Sequence, residues 1–209
     1  MKKIKTIFTL FILFILFLFV TLISYASSVS KDLSDNFFRL HIIANSDSSK
    51  DQELKLKVRD EVVSYMNNLD YKNLSKEQVI SLTKENLKEL RDIVNECIKS
   101  NGFNYTCNLE IGNFYFPTKY YGNISLPAGY YDGLKINIGN AEGKNWWCSL
   151  YPPLCFADVS TGIVNEETKE ILKNNLTEDE YILISNEKEK IKLKFKIVEI
   201  ISKYMKNNA

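Results

Sequence analysis

Seventeen positions from Ile7 to Ile23 are apolar apart from two threonines, flanked by MKKIKT on one side and SYASS on the other. A positive start, an apolar run and a small-residue site at Ser24-Tyr25-Ala26 or Ala26-Ser27-Ser28 are the parts an export signal needs. The run exceeds the ~7–15 residues usual for such signals. At about 1.5 Å per residue it covers roughly 26 Å, against a hydrocarbon thickness near ~30 Å. Removal and retention as an anchor are both physically open. The lysines place Met1 to Thr6 on the cytoplasmic side and everything after Ser24 outside. Residues 1–26 are therefore a signal peptide or signal anchor, and 27–209 form an extracytoplasmic domain.

Beyond that segment the periodicity changes. Phe38, Leu40 and Ile42 alternate with Arg39 and His41, as in a strand, and the run breaks at Asn45-Ser46-Asp47. Leu54, Val58, Val62 and Met66 then recur every four residues, one helical face, with Ser48, Ser49 and Asp51 available to cap it. The capping box Ser75-Lys76-Glu77-Gln78 announces a second helix that carries Val79, Leu82, Leu90, Ile93 and Cys97 inward and ends at Gly102. After Gly102, three stretches (104–116, 120–126 and 130–138) read as strands broken by Pro117, Pro127-Ala128-Gly129 and Gly139. A polar helical stretch spans 166–174. Ile191, Leu193, Phe195 and Ile197 alternate with lysines as a half-exposed strand, and VEIISKYMK closes the chain as a short helix. This pattern predicts a single α+β domain in which an antiparallel β-meander is covered by helices on one face.

Charge narrows the function. Setting aside Lys2, Lys3 and Lys5 leaves 24 basic against 26 acidic residues, a net of about −2, with no basic face for nucleic acid. Four cysteines, Cys97, Cys107, Cys148 and Cys155, allow three pairings, and export favours disulfides. The Pro152-Pro153 turn in WWCSLYPPLCF favours Cys148–Cys155, while Cys97 and Cys107 are open to pairing or to staying as free thiols. Zinc is a weaker fit, because neither pair has C-x2–4-C spacing and His41 is the single histidine. No cofactor or metal motif occurs.

Catalysis has little to build on. Any histidine-based mechanism must use His41, and no nucleophile elbow or phosphate loop accompanies it. On the polar face of a strand, His41 reads first as a surface or hydrogen-bonded structural residue. An envelope hydrolase acting through His41 is the alternative function. Asp47 and Asp51 read first as turn and cap residues and second as a carboxylate pair. Tyr115-Phe116-Pro117 through Tyr120-Tyr121, with Trp146-Trp147, read as core or as an aromatic contact surface.

Three segments, FRLHIIANSDSSKDQELKLKVRD, FPTKYYGNISLPAGYYDGLKINIG and NWWCSLYPPLCF, resemble the stage II sporulation protein R family across roughly residues 37 to 160. The resemblance implies a non-catalytic signal of endospore-forming bacteria. It would be made in the forespore and exported into the space between forespore and mother cell. There it would activate a membrane-embedded aspartic peptidase that processes the pro-form of sigma-E. Family-like positions include Arg39, Asn45, Ser46, Asp47, Asp51, Leu54, Arg59 and Asp60 in the first segment. In the second and third they are Pro117, Thr118, Tyr121, Gly122, Pro127, Ala128, Gly129, Asn145, Trp146, Trp147, Cys148, Pro152, Pro153, Leu154 and Cys155. The candidate partner-binding set is Arg39, Asn45, Asp47, Asp51, Pro117, Thr118, Tyr121, Trp146, Trp147, Pro152 and Pro153. The cysteines at 97 and 107 look particular to this chain, which the resemblance turns into further support for Cys148–Cys155.

Overall fold

The apolar N-terminal run forms one helix, α1 (Lys2–Asp35), in a computed structural model that describes residues 2–69, 71, 73–155, 164 and 166–185. Lys3–Thr21 is long and apolar enough to cross a membrane and none of it is buried. The helix continues past Ala26, and its last turn carries Leu33, which with Phe37 is fully buried in the core.

β1 (Phe38–Ile43) follows, then α2 (Ser49–Asn68), α3 (Lys76–Glu85), α4 (Leu87–Ser100), β2 (Cys107–Phe116), β3 (Lys119–Tyr121), β4 (Ile124–Leu126), β5 (Gly129–Ile138), β6 (Asn145–Tyr151), α5 (Glu166–Asn175) and α6 (Glu178–Ile184). The strands make a four-stranded sheet in the order β2-β5-β1-β6 and a separate β3–β4 hairpin.

The α+β class stands, but the sheet is not a simple antiparallel meander. β1 enters between β5 and β6, parallel to β5 and antiparallel to β6. Burial explains the placement: every residue of Phe38–Ile42 is buried, so β1 is covered on both faces and belongs at the sheet centre. The NWWC segment, for which the sequence pattern predicts no strand, is part of β6. The proposed strand 120–126 is a hairpin that reverses at Gly122, whose φ is +59°.

Register sets Leu40 beside Leu134 and Cys148, and Ile42 beside Ile136 and Trp146. This face meets α2, through Leu54, Val58, Val62 and Met66, and α4, through Leu90, Val94 and Ile98, all buried. Each such side chain contributes about 1.5–3 kcal/mol of burial free energy. The second predicted helix divides at Asn86, whose side-chain amide donates to Leu82 O at 2.8 Å. That break rephases the apolar stripe, so Val94 is fully buried and Ile93 only half-buried. The predicted polar helix at 166–174 is α5. The strand Ile191–Ile197 and the terminal helix lie outside the described residues.

Cys148 and Cys155 are disulfide-bonded, with Cα atoms 5.0 Å apart, and Leu154 N donates to Ser149 O across the intervening turn. Cys97 and Cys107 are free, and burial pushes both thiols up, Cys107 to about 11. Closing so short a ring restricts the unfolded chain by roughly 2–3 kcal/mol on the loop-entropy relation. Reduction is therefore expected to lower the melting temperature by several degrees in calorimetry. An unchanged melting curve would show the bridge to be unimportant.

Candidate functional site

Two clusters grow from the ends of β1. At its C-terminal end, Ala44–Asp51 interlocks with the β5–β6 loop. Ala44 O and Asn45 O accept from Gly143 N (2.9 Å) and Glu142 N (3.2 Å). The Asn45 side-chain oxygen accepts from Asn140 N at 3.0 Å, and the Asp47 carboxylate accepts from Lys144 N at 2.7 Å. The loops approach closely enough to require glycine. A Cβ on Gly143 would lie 2.3 Å from Ser46 O, and one on Gly139, at φ +55°, would lie 2.3 Å from Asn45 Oδ1.

Ser48 caps α2 by accepting from Asp51 N at 3.2 Å. The Asp51 carboxylate is buried and accepts from Ser46 Oγ at 2.5 Å, from Asn45 Nδ2 at 3.0 Å and from the Tyr105 hydroxyl. Burial alone would raise the pKa of this carboxyl. The bonds from Ser46, Tyr105, Asn45 and Ser48 outweigh it and hold the group at about 2. Asn45, Asp47 and Asp51 thus act together as a clasp between two loops.

The second cluster lies on the β1 face opposite α2. Arg39 is fully buried, its guanidinium carbon 4.3 Å from the Phe116 ring centre and 4.7 Å from that of Tyr131, and Nη2 donates to Tyr121 Oη at 3.0 Å. Tyr121 in turn donates to Trp147 O at 3.3 Å. Two residues along β1, the His41 ring stacks on Trp147 with centroids 3.5 Å apart, and its Nε2 lies 2.6 Å from Asn145 Oδ1. Phe116 packs edge-on to Trp147 at 5.0 Å, joining the two halves.

The structure brings part of the sequence-derived set together. Arg39, Tyr121 and Trp147 come together, and Asn45, Asp47 and Asp51 form their own group. Trp146 faces the other side of the sheet, under Arg59 of α2 at 4.5 Å. Thr118 accepts from Ala128 N at 3.0 Å, beside the half-buried Pro117. Pro152 is buried and Pro153 half-buried in the disulfide turn, where Pro153 O accepts from Thr168. Phe116, read from sequence beside Tyr121 and Trp147, and Asn145 join these clusters, and Tyr131 and Tyr105 complete them without having been singled out from sequence. The contacts that unite them join residues 54 to 104 positions apart and leave no local mark.

His41 is buried, with no carboxylate or thiol hydrogen-bonded to its ring among the described residues. Burial is the main cause that lowers its pKa, from 6.5 to about 4, helped by Lys135 and Arg39 and opposed by the Asn145 bond. Protons therefore bind the unfolded chain more readily than the native one between those values. The stability of the neutral form is fully present above pH 6.5 and is lost as pH falls toward 4, by about 3 kcal/mol in all. Urea unfolding across this range should show the slope, and His41→Gln should flatten it. An unchanged slope in His41→Gln would assign the loss to other groups.

The family model described as stage II sporulation protein R matches residues 34–161. Among curated proteins, stage II sporulation protein R of Bacillus subtilis (strain 168) is 36% identical over 143 residues, covering 68% of this chain. The match spans 64% of that relative's length, just under two thirds. No solved structure matches.

Proposed function

This chain belongs to the stage II sporulation protein R family, and from that premise we propose that it is an exported signal of endospore formation that acts by contact. Its target in this reading is a membrane-embedded aspartic peptidase, which it activates to process the pro-form of sigma-E. The place of action is the space between forespore and mother cell. It performs no catalysis of its own.

What supports the reading is one observation joined to the family: a helix apolar enough to cross a membrane leads into a disulfide-bonded domain, which fits an extracytoplasmic protein. The one histidine supports the non-catalytic part, because burial keeps it neutral and its ring is stacked on Trp147. Contact surface is available: Trp147 is half-buried, while Tyr120 and Tyr130 are 57% and 47% exposed. Aromatic side chains of this kind anchor interfaces.

Deleting the gene from its host should leave pro-sigma-E uncleaved on an immunoblot of sporulating cells. Normal cleavage in the deletion strain overturns the reading. Co-purification of the detergent-solubilised full chain with the peptidase tests the contact directly.

A further inference from the structure

Arg39 has no counter-ion among the described residues. Its side chain is fully buried, yet Nε and Nη1 have no hydrogen-bond partner, and the groups that do bond the guanidinium are the neutral phenols of Tyr121 and Tyr131. His41, Lys119, Tyr121 and Tyr131 feel its charge, and none of them is a carboxylate. Lys119 adds a second positive charge nearby, and desolvation followed by Arg39 lowers its pKa.

A guanidinium taken out of water is strongly disfavoured unless its charge and its N–H groups are matched. The Phe116 and Tyr131 faces offset part of that cost, but a ring face leaves Nε and Nη1 without an acceptor. The remaining donors lie in the guanidinium plane, where a carboxylate pairs best with arginine. Tyr121, at the end of β3 in a hairpin of three residues per strand, lies over the group.

We infer that Arg39 is the seat of a carboxylate ligand, taken up beneath the β3–β4 hairpin between the Phe116 and Tyr131 rings. The carboxylate comes either from an acidic side chain of a protein partner or from a free small acid. In both cases it accepts from Nε or Nη1 and neutralises the buried charge.

The test titrates sodium acetate into the detergent-solubilised full chain and follows its thermal unfolding. Ionic strength is held constant with sodium fluoride, whose tightly held hydration makes it a poor occupant of an aromatic box. The expected result is a saturable rise in melting temperature that is absent in Arg39→Met. A wild-type chain indifferent to acetate, or an equal rise in Arg39→Met, overturns the site. Where Arg39→Met fails to fold, Tyr121→Phe replaces it. Loss of the competing phenol should lower the acetate midpoint several-fold, and an unchanged midpoint counts against the site. A second arm, which rests on the proposed function, repeats co-purification with the peptidase in acetate. Weakened capture assigns the carboxylate to the partner, and unchanged capture assigns it to a free acid. The melting arm needs no peptidase, so the site and the signalling role fail separately.

Discussion

Replacing Asp51 by alanine is expected to lower the unfolding free energy by about 2–3 kcal/mol, because it leaves three half-buried donors without their charged acceptor. Asn45, Ser46 and Tyr105, all half-buried, each donate to this one carboxylate. The pKa supplies an independent scale. A carboxyl held at about 2 against an ordinary 3.8 is worth roughly 2 kcal/mol in the charged form. With the native value below the unfolded one, that share is present above about pH 4 and disappears as pH falls toward 2. Denaturant unfolding at pH 7 and pH 3 should therefore show the wild-type advantage over Asp51→Ala narrowing in acid. In a double-mutant cycle, Tyr105→Phe should cost little once Asp51 is gone. A full cost for Tyr105→Phe in the Asp51→Ala background would mean that the hydroxyl acts elsewhere.

Trp147→Ala is the second large effect, about 3 kcal/mol, since it removes the ring that stacks on His41 and braces Phe116. Its consequence reaches Arg39, because Phe116 is one wall of the box around the guanidinium. Trp147→Phe keeps an aromatic face over His41 and should recover most of the loss. Trp146→Ala is the informative neighbour: its ring lies over Arg59 on the opposite face, so it should leave the Arg39 cluster intact. Unfolding free energies of the three variants, read beside pro-sigma-E cleavage in cells carrying them, separate packing from signalling. If Trp147→Phe restores stability but not cleavage, the indole itself is part of the contact.

Sequence made the local features legible. The capping box at Ser75 is present in full, with Gln78 reaching back to the Ser75 N–H at 2.8 Å. The four-residue spacing from Leu54 to Met66 is the buried stripe of α2, and the proline turn does close Cys148 onto Cys155. What escaped was long-range pairing. An alternating strand ordinarily has one wet face, so Arg39 and His41 pointed to an exposed side of β1. The structure buries that side beneath residues more than 70 positions away. The same cause hid β6, whose Trp146-Trp147-Cys148 run lacks alternation because both of its faces carry packed side chains. Asn86 was missed for another reason: asparagine interrupts a helix through its own side-chain bond, with no glycine or proline to mark the place.

The continuity of α1 has a mechanical meaning. The apolar span ends at Thr21, and helix continues through residues 22–35 until Leu33 is locked into the core. Fourteen residues of helix measure about 21 Å. Retained in a membrane, α1 would hold the domain as a stalk holds a lamp, fixing both its height above the bilayer and its azimuth. Seven inserted residues would lift the domain by ~10 Å and turn it only about 20°, whereas two would lift it ~3 Å and turn it about 200°. Cleavage after Ala26 would discard both coordinates at once and leave a freely rotating body with a short helical stub.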